Sequence, residues 1–452
     1  MQRIACWLAA LGVACSAQQP QGESSTGADD GGDSTSSLAT ASTSTGTSAQ
    51  PDTVTSDAST TSAAADDSSS SAAEQTSSGG SREADVPTSA WSRGLAPQRV
   101  LGPDLVDLPG GLEGDPLWVS NNPERVFGPG WLMQHARVDA QRGGSALGLT
   151  ALVAYMFHLN ASGAPLVFHL IATNPGEADV DLEAHGSLYD NARFPITPGQ
   201  GPSVAVAEDA LTGKGSVDTT VVVSPGQGVE LASIDLAPGG ILDGRVRIEA
   251  SGELYVYMVA TASGSTDEAI NRSQGEPAPG EILQPGPNAF GRMAGVYANA
   301  RWAGAFEVDV PAAPAHVGLA LNTTDKFQLD GATLQSQSAP AIVNLSDSSD
   351  ESFGNYGMAY DLVLRLCADE GARTVALRFG SNFVADDDTP SFTWAGPVRL
   401  LGELVDVLTT PTAPSMELGE QTLAARSCVD VDLSFVVPGL ITGGQQLVLE
   451  SR

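Results

Sequence analysis

Tyr356, Met358, Tyr360, Leu362, Leu364 and Leu366 occupy every second position of one stretch, with Asn355, Gly357, Ala359, Asp361, Val363 and Arg365 between them. Side chains of a β-strand point alternately to two faces, so this period specifies a strand with one face buried. A helix would scatter the same residues around its circumference. After a turn at 368–372, Val375, Leu377 and Phe379 alternate again, and the pair reads as a hairpin. Gly354 and Gly357 suit a bulge or a close backbone approach at the strand entrance.

The same signal recurs through the chain. LTALVAYMFHL (149–159) and APLVFHLIA (164–172) are rich in strand formers, and Asn160 to Gly163 supplies turn residues for a second hairpin. Later runs such as TTVVVS, GVELASIDL and ELYVYMVATA are separated by Pro-Gly, Gly-Gly and Ser-Gly pairs. The best helical stretch is a short one, from Thr266 to Arg272. Many short strands at close spacing predict an all-β chain of two antiparallel β-sandwich-like modules. Segments 170–187 and 364–381 both run strand, Gly-containing polar turn, strand, Gly-Ser, which places module 1 at 93–300 and module 2 at 301–452.

From Ser16 to Ala90 the chain is mostly Ser, Thr, Ala, Gly, Gln and Asp, with no aromatic residue. Such a segment buries too little apolar surface to offset its conformational entropy, so residues 16–92 are expected to be a long disordered N-terminal tether. Before it, residues 1–15 carry Arg3 and an apolar run from Ile4 to Ala14. That run is too short to span a bilayer and reads as a secretory signal. Small residues before Cys15 are similar to a lipoprotein lipobox, although Gly12 stands where an aliphatic residue is usual. Lipidation of Cys15 is the expectation, with cleavage after Ala17 as the alternative. Either way the chain is exported: an outer-membrane or cell-surface lipoprotein in the first case, a periplasmic or secreted protein in the second.

The formal net charge is −33, and from Trp91 onward 43 acidic residues face 19 basic ones, with Lys214 and Lys326 the only lysines in the chain. A surface of that sign repels phosphate backbones, which argues against nucleic acid as a partner. Beyond the leader only Cys367 and Cys428 remain, and they lack CxxC spacing. A structural disulfide is expected of an exported chain, free buried thiols being the alternative.

Catalytic signatures are missing: there is no GxSxG, SxxK, HExxH, P-loop or dinucleotide-binding GxGxxG. His158 and His169 would face one another across the second hairpin, with His185 on a nearby strand, but no metal spacing supports a site. The acidic runs SDSSDES (346–352) and ADDDTP (385–390), the latter with Asp386, Asp387 and Asp388, offer oxygen ligands suited to Ca²⁺. Neither matches an EF-hand, and solvated loops are the plainer reading. No other cofactor is expected. Trp118, Trp131, Trp302 and Trp394 are candidate sugar-stacking platforms, against a plainer role in the core.

Four segments together, SNNPERVFGPGWL (120–132), FGRMAGVYANARW (290–302), LQSQSAPAIV (334–343) and FGNYGMAYDL (353–362), carry a resemblance. In this order they are similar to a family of secreted bacterial proteins, known mainly from cyanobacteria and catalogued only as a domain of unknown function. The resemblance covers about residues 117–452 and implies an exported β-rich protein. It brings no catalytic residues. Its most specific positions, Gly354, Asn355, Tyr356, Gly357, Tyr360, Arg292 and Trp302, are expected to be structural. The functional expectation is a non-catalytic envelope lipoprotein with a structural or adhesive role, joined to the membrane by its lipid and contacting envelope polysaccharide or protein. A glycan-binding module, Ca²⁺-assisted in one version, is the alternative, and an uncharacterised hydrolase the third reading.

Overall fold

A computed structural model describes residues 84–137, 146–195, 201–281, 292–324, 334–382, 393–441 and 444–452. Cys15, the tether up to residue 83 and Asp386, Asp387 and Asp388 lie outside them. The described residues belong to one compact unit made of strands in three hydrogen-bonded sheets and two α-helices. The fold is all-β, as its alternation predicts.

The first sandwich is built around one long strand, Ile241–Thr261. Its first half pairs with Leu149–Asn160 on one side and Val180–Asp190 on the other. After a register shift between Glu249 and Leu254, its second half pairs with Leu166–Thr173 and Gly130–Gln134. One strand therefore contributes to both layers. Between the layers lies a core that includes Trp118, Met156, Phe168, Leu170, Ile248 and Met258.

The second sandwich packs one sheet, in the order Glu403–Thr409, Trp394–Leu400, Ser427–Val436, Ala359–Ala368, Arg301–Val310, Gly111–Glu113, on another containing Ala315–Leu321, Gln445–Ser451, Arg373–Ser381 and Ser415–Leu423. Its core includes Trp302, Tyr360, Leu364, Phe379, Trp394 and Phe435. Tyr360 stacks on Phe435 with centroids 4.6 Å apart, and Trp394 meets the same ring edge-on. Most strand pairs are antiparallel, but Arg301–Val310 runs parallel to Ala359–Ala368.

Both predicted hairpins are corrected. Ala359–Ala368 and Arg373–Ser381 lie in different sheets, while Leu149–Asn160 and Leu166–Thr173 belong to one sheet but pair with different halves of Ile241–Thr261 and not with each other. Each short link is an arch over the core, so the buried faces of consecutive strands meet each other instead of sharing a ladder. The first of these arches and the next link of the same sandwich, between Leu166–Thr173 and Val180–Asp190, are locked by the same device. Asn160 Nδ2 donates to the carbonyls of Ala164 and Leu236, while its Oδ1 accepts from Ser162 N. Asn174 does likewise with Ala178, Val223 and Gly176. A buried side-chain amide thus replaces the backbone partners an arch lacks.

Chain segments also trade places between the two cores. Val86 and Trp91 pack in the second core, and Val86 N–H donates to Glu307 O at 3.0 Å. Residues 84–92, assigned by composition to the tether, are therefore ordered against the second sandwich. Val343 and Leu345 belong to the first core.

The two sandwiches share a third apolar layer. Leu117, Val119, Val153, Tyr155 and Phe157 project from the outer face of the first sandwich and meet Ala339, Tyr297 and the flank of Tyr356. The Leu149–Asn160 strand is thus buried on both faces, which explains its continuous apolar run. Helix α1 (Pro202–Thr212) braces the same seam: Ala207 and Leu211 pack on Val436, and Arg399 Nη1 donates to Leu211 O at 2.7 Å. Its start at Gly201-Pro202 and its left-handed Gly213 cap are ordinary helix punctuation that the strand-dominated reading passed over. Helix α2 (Thr266–Ser273) lies where the sequence predicts one, capped by the Ser265 side chain.

Candidate functional site

Of the residues that carry the family resemblance, Tyr356 and Gly357 lie at the seam, Tyr360 and Trp302 in the second core. Gly354, Asn355 and Gly357 all have positive φ, at 88°, 53° and 79°. Asn355 is fully buried, donates to Asn322 Oδ1 at 2.9 Å and accepts from Ser352 Oγ at 3.0 Å. Tyr360 donates to Gln337 Oε1 at 2.8 Å, and burial raises its phenol above the ordinary value. Tyr356 donates to Ile441 O at 3.0 Å. Trp302 is buried in the second core, and Arg292 pairs with Glu124 at 2.9 Å. Burial raises the Glu124 carboxyl even against that guanidinium.

Gly357 is the tightest point. Its N–H donates to Val437 O, its carbonyl accepts from Arg245 Nε at 2.8 Å, and an added Cβ would lie 2.6 Å from Tyr155 Cγ. Arg245 is buried enough to bring its guanidinium down to about 10. Gly357→Ala combines a left-handed backbone with overpacking against a buried ring, for an expected loss of about 2–3 kcal/mol in urea unfolding. An unchanged midpoint would show that the seam is looser than these distances imply.

A second polar cluster sits beside it. The Asp243 carboxyl accepts from Ser203 Oγ, and the Tyr155 hydroxyl faces the same point: a Cβ on Gly439 would lie 2.7 Å from Asp243 Oδ2 and from Tyr155 Oη. Burial lifts the Asp243 carboxyl to about 7, and its Oδ1 has no hydrogen-bond partner among the described residues.

His158 and His169 are bonded within the β-layers. His169 Nε2 lies 2.9 Å from Thr261 Oγ1 and Nδ1 lies 2.6 Å from Glu230 Oε2, a hydroxyl–imidazole–carboxylate order shared with nucleophilic triads. Thr261 is fully buried, however, and its hydroxyl oxygen also accepts from Gly264 N. No substrate carbonyl reaches such a hydroxyl, so the chain acts as a clamp between strands. His158 Nε2 pairs with Ser120 Oγ at 2.8 Å and Nδ1 with Pro123 O at 2.9 Å, and burial brings its pKa down to about 4. His158 and His169 sit in different layers, which corrects the cross-strand pairing expected of them.

The other sequence candidates are placed as follows. Trp118, Trp302 and Trp394 are fully buried and Trp131 is nearly so, which removes these four as sugar platforms. In SDSSDES, Ser348, Ser349 and Ser352 are buried. Ser348 Oγ accepts from Asn122 Nδ2 and Ala294 N, so this run is a packed turn and not a solvated loop. Among the described residues no group of three His, Cys, Asp or Glu side chains could hold a metal ion. Cys367 and Cys428 face each other across adjacent strands and are bonded, S–S 2.02 Å.

Among the described residues, an open recess brings an arginine and a carboxylate beside apolar side chains. It lies where the edge strand Val217–Val223 of one layer meets the edge strand Gly228–Leu236 of the other, with a volume of about 430 Å³. Leu188, Val217, Thr219 and Leu231 line it together with Asp190 and Arg193, while Asp218 and Ser233 border it with side chains turned to His185 and Glu230. The Arg193 guanidinium lies over two rings, 5.1 Å from Tyr189 and 5.4 Å from Phe194, which themselves meet edge-on. Tyr189 is fixed from behind by α1, donating to Asp209 Oδ2 at 2.5 Å. The volume falls within the range of small-molecule sites. No motif announces this recess, because its residues come from three strands and a turn. YDNARF (189–194), two aromatics bracketing an arginine, is the local trace of it.

A family described as "Protein of unknown function (DUF3370)" matches residues 104–398. No curated protein sequence matches the chain. Among solved structures, the tandem CBM22-1-CBM22-2 domain of Paenibacillus barcinonensis Xyn10C aligns at 10% identity and TM-score 0.15, covering 66% of this chain and 74% of its own. Tripeptidyl peptidase 2 aligns at 9% identity and TM-score 0.17, covering 73% of this chain and 24% of its own. Scores this low carry no functional argument.

Proposed function

For this chain, which belongs to the DUF3370 family of unknown function, we propose a non-catalytic role in the cell envelope: a pair of β-sandwiches, anchored through lipid on Cys15 and carried on the Ser/Thr-rich segment, that serves as a structural or adhesive element. The observation that supports this reading most is the seam. Catalytic and transport proteins commonly place their chemistry in a cleft between domains, where relative motion admits substrate. Here that position is filled by Tyr155, Phe157 and Tyr297 and tied by Arg245 to Gly357. A filled, hydrogen-bonded seam suits a stiff spacer that presents its outer surfaces. The buried hydroxyl–His169–Glu230 chain fits the same view, since it ties strands where a hydrolase would need an open hydroxyl.

Fractionation tests the anchor and incubation tests the absence of turnover. The full chain is expected in the membrane fraction of its producing cells, and Cys15→Ser is expected to shift most of it to the soluble fraction. A wild-type chain found soluble would overturn the anchor. On isolated envelopes of the same cells the chain should be retained saturably without releasing soluble fragments, and release of fragments would overturn the non-catalytic assignment.

A further inference from the structure

We propose that the recess between the two edge strands of the first sandwich is a binding site for a neutral saccharide, an inference that rests on the adhesive reading above and names its ligand class. Three observations carry it. First, the lining has the amphipathic character of a pyranose. Leu188, Val217 and Leu231 offer contact to C–H faces, while Asp190 stands beside Arg193 to exchange hydrogen bonds with hydroxyl groups.

Second, the donor is organised in advance. Among the described residues Arg193 has no ion pair and no side-chain hydrogen bond, yet its guanidinium is held over Tyr189 and Phe194. Stacking reduces the entropy lost when a planar fork binds a ligand, and the unspent N–H groups are available for ring or hydroxyl oxygens. The backbone N–H of Arg193 donates to Asp190 Oδ1 at 2.7 Å, which fixes the turn that presents both side chains.

Third, the other obvious occupants fit poorly. An extended peptide would add to an edge strand through backbone groups. The two edges are already tied across the recess, however, because Thr219 Oγ1 donates to Leu231 O at 3.2 Å. An anionic ligand would meet the Asp190 carboxylate in the wall and a chain of formal charge −33.

The test is calorimetric titration of the full chain with xylohexaose, cellohexaose and maltohexaose, and with hexagalacturonate as the anionic arm. At least one neutral hexasaccharide is expected to bind, about tenfold more weakly in Arg193→Ala and in Asp190→Asn, the latter keeping the oxygen that accepts from Arg193 N, with the folding of both checked by melting temperature. No binding by any neutral sugar overturns the proposal. Binding that both folded variants retain unchanged, or binding of the uronate alone, overturns it as well. Sugar that binds and is then cleaved would leave the saccharide site standing and remove the non-catalytic role.

Discussion

Asp243→Asn is expected to stabilise the folded chain by about 4 kcal/mol above pH 7 and by almost nothing near pH 4. The carboxyl is fully buried at the seam, and burial lifts it from 3.8 to about 7. At about 1.4 kcal/mol for each pH unit between those values, ionising it in the fold costs roughly that amount. The folded chain keeps the Asp243 proton to a higher pH than the unfolded chain does. Between about pH 4 and pH 7 the unfolded state therefore carries fewer protons, and this group's contribution falls as pH rises.

Asparagine keeps an oxygen to accept from Ser203 and has no charge to bury. Its amide can donate to the Tyr155 hydroxyl, which has no other partner among the described residues. Other groups titrate in the same window. Burial brings His135 and His158 down to about 4, so the unfolded chain takes up their protons first and their contribution rises with pH. Glu124 is raised by burial and acts in the same sense as Asp243. The difference between variant and wild type, measured by urea unfolding at several pH values, isolates the single carboxyl. A constant difference from pH 4 to pH 8 would mean that Asp243 is solvated, and the account of the seam as a dry layer would fail with it.

The alternation at 356–366 revealed a strand and the face it buries: Met358, Tyr360, Leu362, Leu364 and Leu366 are all buried, while Val363 and Arg365 are exposed. It could not reveal the partner. Side-chain period reports which face is apolar, and a hairpin and an arch place equal demands on it. A link of four residues with Gly, such as 369–372, serves either. What selected the arch is global, since each sandwich needs its second layer close by in sequence.

The glycine reading succeeded for a local reason. Gly357 lies against a ring where no side chain fits, and the need for a close approach was visible before the ring was known. The disposition of Tyr155 on that glycine, of Arg245 on its carbonyl and of Arg193 over two rings joins residues far apart in the chain, and no local pattern encodes it. The tryptophans show the reverse error of emphasis. Four large aromatics could have served as surface platforms, and the same size makes them the most stabilising residues to bury.

Replacing both Cys367 and Cys428 by serine is expected to destabilise the chain by about 3–4 kcal/mol. The bridge joins residues 61 apart, and closing a loop of that length removes about 4 kcal/mol of conformational freedom from the unfolded state in the chain-entropy model. The site suits a clean test of that model. Cys367 is half-buried and Cys428 exposed, on the outer face that also carries the Arg365–Asp430 ion pair, so serine opens no core cavity there. The strands remain joined by the ladder from Ala359 to Ala368 in either form. A loss that comes from the unfolded state has two signatures. Wild type unfolded in excess reductant should match the double variant, and the denaturant slope should rise in both because the unlinked chain exposes more surface. A midpoint change with an unaltered slope would place the effect in the native strands instead. A double variant within about 1 kcal/mol of wild type would mean that the ladder and the Tyr360–Phe435 core already hold this loop closed without its covalent link.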